Sequence, residues 1–420
     1  MFGGIKPKTD KIRTRYQKIE NLPVPSAVIL YTSQHIGAPS NPVVKKGDEV
    51  KKGEVIAEPV GGCSSYLHSS ITGKIRAIKN IQKPGGCCTL GIIIEKQGDQ
   101  NQIEQLEPLK NINPDTIRQR VKKCGIVGMG GAGFPTHIKL DPPKNIEIAF
   151  MNACECEPFL TSDERLIIEK ARQVIEGFEM AKTAVYAEKG IVAIENDKPQ
   201  AIDSIQKALK GRKDIELKIL PKKYPQGYEK LVISESVGRE VPSGGLPHDV
   251  GVSVHNVGTC YAVYQGVHHG IPLIERIVTV TGPGMVEPVN AKIPIGMKLK
   301  EILSFFQIDR LDEYEIFLGG PMMGFSIDSL DLGVMKTTSG IVIQRPYEIK
   351  EKECIRCGKC VEVCPVGLVP QELNKLYDMQ DFGKMMDIGL SDCMECGCCT
   401  YTCPSKINIT YKIKTAKTKI

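Results

Sequence analysis

Two cysteine runs near the C-terminus constrain this chain more than any other feature. Cys354, Cys357, Cys360 and Cys364 follow the spacing C-x2-C-x2-C-x3-C-P, and Cys393, Cys396, Cys399 and Cys403 repeat it. Three thiolates two residues apart wrap a compact loop around three corners of a cuboidal cluster. The fourth, just before Pro365 or Pro404, is turned toward a neighbouring site. The pattern predicts two [4Fe–4S] clusters with exchanged fourth ligands: Cys354, Cys357, Cys360 and Cys403 for one, Cys393, Cys396, Cys399 and Cys364 for the other. Zinc would favour two C-x2-C pairs over triplets with a prolyl fourth ligand. Cys398 is an extra thiol inside the second run, expected to be a buried structural cysteine.

Sixteen cysteines in 420 residues, behind a start (MFGGIKPK) with no apolar signal region, read as thiols and metal ligands rather than a disulfide framework. The length calls for several domains. The longest apolar stretches, 90–94 and 146–153, fall far short of the ~18 residues of a membrane span, so any membrane association is expected to be peripheral. The net charge of +6 is mild, yet basic residues gather at both ends: Lys6, Lys8, Lys11, Arg13, Arg15 and Lys18, then Lys406, Lys412, Lys414, Lys417 and Lys419. They are either solvated termini or faces toward anionic headgroups or an acidic redox partner. Nucleic-acid binding has no support: aromatics are 5%, Trp is absent and no recognition motif occurs.

Residues 1–110 read as β-rich, with VKKGDEVKKGE placing two tight turns, in the manner of the sandwich of biotinyl and lipoyl carriers. The stretch 59–68 has no lysine to carry a cofactor, so the unit is expected to be a non-carrier relative. From 111 to 270 a helix over 162–180 and strands at 190–194 and 216–220 predict an α/β layer. Residues 271–345 open a smaller β-rich unit that ends near GGPMMG. Residues 346–420 are helical and cysteine-dense, with a helix predicted over 371–379.

IVGMGGAGFPTHIK at 126–139 satisfies G-x-G-x-x-G with Gly128, Gly130 and Gly133. Pro135 would interrupt the long helix of a dinucleotide fingerprint unless a helix begins there. Bare glycine backbone can still approach a phosphate or planar ring, with Lys139 to neutralise charge. GGAGFPTHIK followed by NACECEP, YPQGYE and VHNVGT resembles the flavin-binding subunit of respiratory complex I, four motifs in order over ~130 residues. The resemblance implies non-covalent FMN held by Gly128, Gly130, Gly131, Gly133, Lys139, Asn152, Glu155, Gly227, Asn256 and Thr259. It also implies that Glu157, Glu229 and Phe134 border NAD(H), with Tyr224 near the stacked rings. This chain departs from that family at Met129, Cys154, Tyr228 and His255, which bear on the nucleotide more than on the flavin. Cys154 and Cys156 are expected to be buried small hydrophobes.

Over nearly its whole length the chain resembles the RnfC family of Rnf electron transport complexes, through FGGIKP, LPVPSAVILYTSQHIGAPSNPVVKKGDEVKKG, NACECEPFLTSDE, GGPMMG, CIRCGKCVEVCPVGL and DCMECGCCTYTCPSK. That resemblance implies an α/β multidomain fold: a barrel-sandwich at 1–110, a Rossmann-like flavin domain at 111–270, a β-grasp (SLBB-like) domain at 271–345 and an all-helical ferredoxin domain at 346–420. It implies a peripheral subunit on the cytoplasmic side of the membrane, exchanging electrons among NADH, FMN and the clusters. Its partners would be other membrane and flavin subunits and, indirectly, ferredoxin, with Na⁺ or H⁺ translocation coupled to the flow. Cobalamin reductases and electron donors to proline reductase share this style, and a non-catalytic relay scaffold is the reading from another class.

Overall fold

The computed structural model describes residues 3–308, 313–346 and 349–420, so Phe2 of the FGGIKP phrase and the 347–348 start of the helical section lie outside it. Strand β1 (Ile19–Asn21) precedes a two-sheet sandwich. One sheet joins β2 (Ala27–Tyr31), β4 (Glu49–Val50), β7 (Gly73–Gln82) and β8 (Cys88–Lys96) in the order β2-β8-β7-β4. The other joins β3 (Asn41–Pro42), β5 (Val55–Glu58) and β6 (Leu67–His68) in the order β3-β5-β6. Its filling is β-branched and aliphatic, with Val28, Leu30, Ile56, Ile71, Ile75, Ile92 and Ile94 all buried. The segment before this sandwich leaves it: β1 adds to a sheet of the third unit, and Ile5 bridges to Tyr224.

The second unit begins with α1 (Pro114–Lys123), which the sequence starts locally. The Asn113 side chain accepts from the Thr116 N–H, the Thr116 hydroxyl accepts from the Asn113 N–H, and Pro114 opens the first turn. The helix α2 (Thr136–Lys139) is a single turn. Then β9 (Ile148–Asn152), α3 (Ser162–Ala184), β10 (Lys189–Glu195), α4 (Pro199–Ala208), β11 (Ile215–Leu220), α5 (Glu229–Val237), β12 (Val252–Asn256) and α6 (Val257–His269) alternate. The strands form one parallel sheet, β11-β10-β9-β12. Helices cover both faces, which is why β10 is an almost unbroken buried run. The helix expected over 162–180 and the strands expected near 190 and 216 are present with ends moved by a few residues.

In the third unit β13 (Glu275–Thr281) and β14 (Val289–Pro294) form a hairpin, followed by α7 (Leu299–Phe305), β15 (Glu315–Leu318), β16 (Phe325–Ile327) and β17 (Gly340–Gln344). The strand β17 returns parallel to β13, and the mixed sheet runs β1-β14-β13-β17-β15-β16 over a core that includes Val278, Val280, Ile302 and Ile343. The last unit contains α8 (Lys359–Glu362), α9 (Pro370–Asp378), α10 (Phe382–Asp387), α11 (Cys398–Thr402) and α12 (Ile409–Lys417), closed around Leu373, Met385, Leu390 and Ile413. Among its described residues there is no strand.

Candidate functional site

The two cysteine runs fold as near copies of each other. Arg356 and Glu395 take left-handed backbone (φ 55° and 56°), and their N–H groups donate to Cys354 Sγ and Cys393 Sγ, each at 3.4 Å. Gly358 and Gly397 are left-handed N-caps that start α8 and α11, placing Cys360 and Cys399 in the first turns. Each run then ends on a cysteine that crosses over. Cys403 lines a cavity with Cys354, Cys357 and Cys360. Cys364, its Sγ accepting from Leu368 N–H at 3.3 Å, lines a second cavity with Cys393, Cys396 and Cys399.

These quartets suit an iron–sulfur core. Among the described residues no three His, Cys, Asp or Glu side chains are gathered closely enough to grip a single metal ion; each thiol quartet surrounds a wider space. Burial pushes the Cys393 thiol up to about 11 and that of Cys399 to about 12, so uncompensated thiolates are disfavoured there. A cationic iron–sulfur core supplies the compensation. The quartets differ in exposure: Cys354 and Cys357 are open to solvent, whereas Cys396 and Cys399 are buried.

The glycine loop lies at the C-terminal edge of the parallel sheet, the edge where open α/β sheets bind ligands. A bridge between Val127 and Pro135 closes it, with Gly128 N–H donating to Phe134 O at 2.8 Å. Met129 N–H donates to Thr259 Oγ1 in the first turn of α6 at 3.0 Å. Gly130 passes so close to Asn256 that a Cβ would come within 3.1 Å of its side chain, Gly131 faces open space, and Gly133 is left-handed. After the loop comes the single turn α2 with Pro135 as its N-cap, not the long helix of a dinucleotide fingerprint.

Asn152 and Asn256 end the adjacent strands β9 and β12 in register. Asn152 Nδ2 donates to Gly227 O at 2.7 Å. Asn256 Oδ1 caps α6 through Gly258 and Thr259, and its Nδ2 donates to Asp163 Oδ2 at 2.6 Å. Lys139 Nζ stands 3.4 Å from Glu229 Oε2 at the start of α5, both partly exposed, and Phe134 is exposed. The glycines, Asn152, Gly227, Asn256, Thr259, Lys139 and Glu229 thus gather at one edge. Bare backbone at Gly131 beside the Lys139 ammonium is the donor set that a flavin phosphate calls for.

The other predicted residues have different neighbours. Glu155 is left-handed (φ 45°), and its carboxylate accepts from Asp163 N–H at 2.8 Å, Glu164 N–H at 3.0 Å and Ser162 Oγ at 3.1 Å, capping α3. Glu157 accepts from the N–H groups of Met322 and Met323 at 3.1 and 2.8 Å, so the GGPMMG loop is fastened onto it. A Cβ on Gly320 would lie 2.1 Å from Glu157 Oε2, which is why glycine stands there. Burial raises the Glu157 carboxyl above its ordinary range despite those two donors. Tyr224 is buried and its hydroxyl donates to Cys396 O at 2.7 Å, joining the second unit to the second thiol quartet. Cys154 is fully buried, and burial lifts the Cys156 thiol to about 12.

Sequence reasoning missed two charged residues behind the loop, the buried Arg276 and the half-buried Asp163. Arg276, from β13, donates to Thr338 O at 3.2 Å and packs its guanidinium on Met129. Burial lowers it to about 10. Asp163 is raised to about 7, first by burial and then by the Glu155 carboxylate. Asp163 sits inside the SDE phrase at 162–164, but nothing local marks Arg276.

Comparison with known proteins agrees with this geometry. Residues 1–99 match the RnfC barrel sandwich hybrid domain, 121–265 the Nuo51 FMN-binding domain and 353–407 a 4Fe-4S dicluster domain. The chain is 42% identical over 382 residues to the C subunit of the proton-translocating ferredoxin:NAD(+) oxidoreductase complex of Clostridium ljungdahlii, covering 89% of this chain and 83% of that one. It is 38% identical to the Na(+)-translocating counterpart of Acetobacterium woodii, covering 100% and 96%. It is 37% identical to the C subunit of the ion-translocating oxidoreductase complex of Rhodobacter capsulatus, covering 92% and 77%. Among solved structures, an NAD+-reducing [NiFe]-hydrogenase chain in the air-oxidized state shares the fold, with a TM-score of 0.50 and 20% identity over 66% of this chain and 54% of that one. With its thiol quartets, its flavin-binding domain and relatives 38–42% identical over most of their length, the chain belongs to the RnfC family, the C subunits of ion-translocating ferredoxin:NAD(+) oxidoreductase complexes.

Proposed function

We propose that this chain is the NAD(H)-linked electron-transfer subunit of an ion-translocating ferredoxin:NAD oxidoreductase, oxidising NADH or reducing NAD. FMN, when bound, takes the two electrons of a hydride together and exchanges them singly, as [4Fe–4S] clusters require. The observation that carries the reading is the seat of Tyr224. One residue of the flavin-binding domain reaches the backbone of a thiol that lines the second cavity, so that quartet is the inner station. The exposed Cys354 and Cys357 make the first quartet the outer one, facing a redox partner among the other membrane and flavin subunits and, through them, ferredoxin.

Gly128, Gly130, Gly131, Gly133, Lys139, Asn152, Gly227, Asn256 and Thr259 hold FMN non-covalently in this reading, with Glu155 supporting them through the start of α3. Glu229 and Phe134 border the nucleotide, Glu157 positions the loop 319–324 beside it, and Tyr224 marks the flavin-to-cluster side. The parallel sheet supports a Rossmann-like domain at 111–270. The hairpin, helix and returning strand support a β-grasp, SLBB-like domain at 271–345, and the strand-free described residues support a helical ferredoxin domain at 346–420. Among the described residues no helix is long and apolar enough to cross a membrane, and peripheral attachment at the cytoplasmic face belongs to the same reading.

Anaerobic titration of the purified protein with NADH tests it. The bound flavin should bleach and two cluster signals should follow in paramagnetic resonance. Flavin that is bound yet stays oxidised would refute the nucleotide assignment and favour the relay scaffold.

A further inference from the structure

Residues 3–5 lie between the second unit and the second thiol quartet, and their backbone suits that place. Gly3 and Gly4 are consecutive left-handed residues, at φ 61° and 78°. A Cβ on Gly3 would overlap the carbonyl of Cys364, the cysteine that crosses to the second cavity, so only bare backbone passes there. Gly4 N–H donates to Val363 O at 2.8 Å, and Ile5 exchanges two backbone hydrogen bonds with Tyr224, at 2.8 and 2.9 Å. The Ile5 side chain packs against the cluster of Tyr224, Met394, Cys396 and Cys398. Farther along, Lys8 N–H donates to Tyr401 Oη in α11 at 3.2 Å. The segment 3–5 is half-buried, whereas Cys364, Cys396 and Tyr224 beneath it are buried. Beside the first cavity Cys354 and Cys357 stay exposed, so the two quartets differ in cover although their loops are near copies.

Resting on the reading that the second quartet holds a [4Fe–4S] cluster, we propose that residues 3–5 are a strap that keeps water and soluble oxidants from that cluster on the side of Tyr224. Gly3 and Ile5 are its positioning residues. They act through Cys364 and Tyr224 and touch no reacting atom. Water stabilises the extra negative charge of a reduced cluster, so a covered cluster has a lower potential than the same cluster in contact with solvent. The strap therefore holds the inner station low and confines its electron exchange to groups within the protein, while the outer station stays open to a partner.

The test uses the intact holoprotein as wild type, Gly3→Ala, Ile5→Ala and, as a control, Gly61→Ala, whose left-handed residue (φ 71°) has open space around it between β5 and β6. Each is incubated anaerobically with ferricyanide, a hydrophilic oxidant too large to enter a packed interior. The surviving cluster signals are read by paramagnetic resonance, with cluster potentials, iron and flavin content measured in parallel. An L side chain in the left-handed region shifts the strap toward a detached state about tenfold, so the second cluster of Gly3→Ala should be lost about tenfold faster than in wild type. Its potential should rise, with the first cluster and flavin content unchanged. Ile5→Ala should act in the same direction, and Gly61→Ala should match wild type. Wild-type rates and potentials in both Gly3→Ala and Ile5→Ala would overturn the proposal. Equal acceleration at the two clusters would mean a general loosening of the helical unit and overturn it too. Should the strap variants fail to assemble, hydrogen exchange in wild type decides the matter. Slow exchange of the Gly4 and Ile5 amides supports the strap, and exchange at the rate of an unstructured chain refutes it. Wild type lacking a second cluster would instead defeat the parent reading, a result that the iron content identifies separately.

Discussion

Replacing Tyr224 with Phe removes one oxygen atom at the junction on which the inner-station argument rests. The ring stays, so its packing against Met394, Cys396 and Cys398 is retained, and what is lost is the donor to Cys396 O at 2.7 Å. That carbonyl lies in a buried contact between units 172 residues apart, and leaving such an acceptor unpaired costs about 1–2 kcal/mol. Burial holds the phenol far above its usual pKa, so the hydroxyl is a neutral donor at every working pH and the cost should be independent of pH. With a urea slope of about 2 kcal/mol/M, loss of cluster absorbance should come ~0.5–1 M earlier than in wild type. Flavin release should shift less, because the glycine loop does not touch this hydroxyl. Tyr224→Ala, which also empties the ring's volume, should cost about 3–5 kcal/mol. An unchanged cluster midpoint in Tyr224→Phe, or a flavin transition that moves as far as the cluster transition, would refute the reasoning.

The crossing of the fourth ligands predicts that Cys364→Ser and Cys393→Ser alter the same cluster signal, and that Cys403→Ser alters the other, since Cys364 lines the second cavity and Cys403 the first. Paramagnetic resonance decides it, and Cys364→Ser that perturbs the signal lost in Cys357→Ser would sink the crossing. Lys336 predicts a pH dependence. Its ammonium is buried between Tyr66 O at 2.8 Å and Gly125 O at 2.7 Å, and burial lowers it to about 7. Between that value and the ordinary 10.5 the unfolded chain binds the extra proton, so this group makes stability rise with pH across that window, by at most ~1.4 kcal/mol per unit. Denaturation midpoints from pH 7 to 10 should show the rise in wild type and a flatter profile in Lys336→Met; parallel profiles would remove Lys336 as its source.

What could be read from the sequence divides by how local the cause is. The ligand spacing of Cys354–Cys364 is set by the stereochemistry of one short loop, and its copy at Cys393–Cys403 made even the crossing of ligands an expectation open to inspection. The period of α3 and the apolar runs of β10 and β11 are likewise written within each segment. The joints are not. Glu157 meets Met322 across 165 residues, Tyr224 meets Cys396 across 172 and Arg276 reaches Met129 across 147. Each depends on one side chain and one or two acceptors or donors, with no repeat to announce it. GGPMMG could be recognised as a phrase, yet its purpose, a bare backbone laid on a half-buried carboxylate, exists only once β9 and β15 have brought the two stretches together. The N-terminal segment follows the same logic. Expected as part of the sandwich, it instead lends β1 to the third unit, Ile5 to Tyr224 and the buried Lys11 to Glu155 O. It therefore touches the flavin-binding domain, the third unit and, through Gly4 N–H on Val363 O, the cluster unit. Burying Lys11 lowers its pKa, and the carbonyl that its ammonium meets belongs to Glu155, whose carboxylate caps α3. A strand of three residues and one buried lysine carry too little pattern to be foreseen, yet together with Gly4 and Ile5 they tie the second, third and cluster units to one another through a single N-terminal segment.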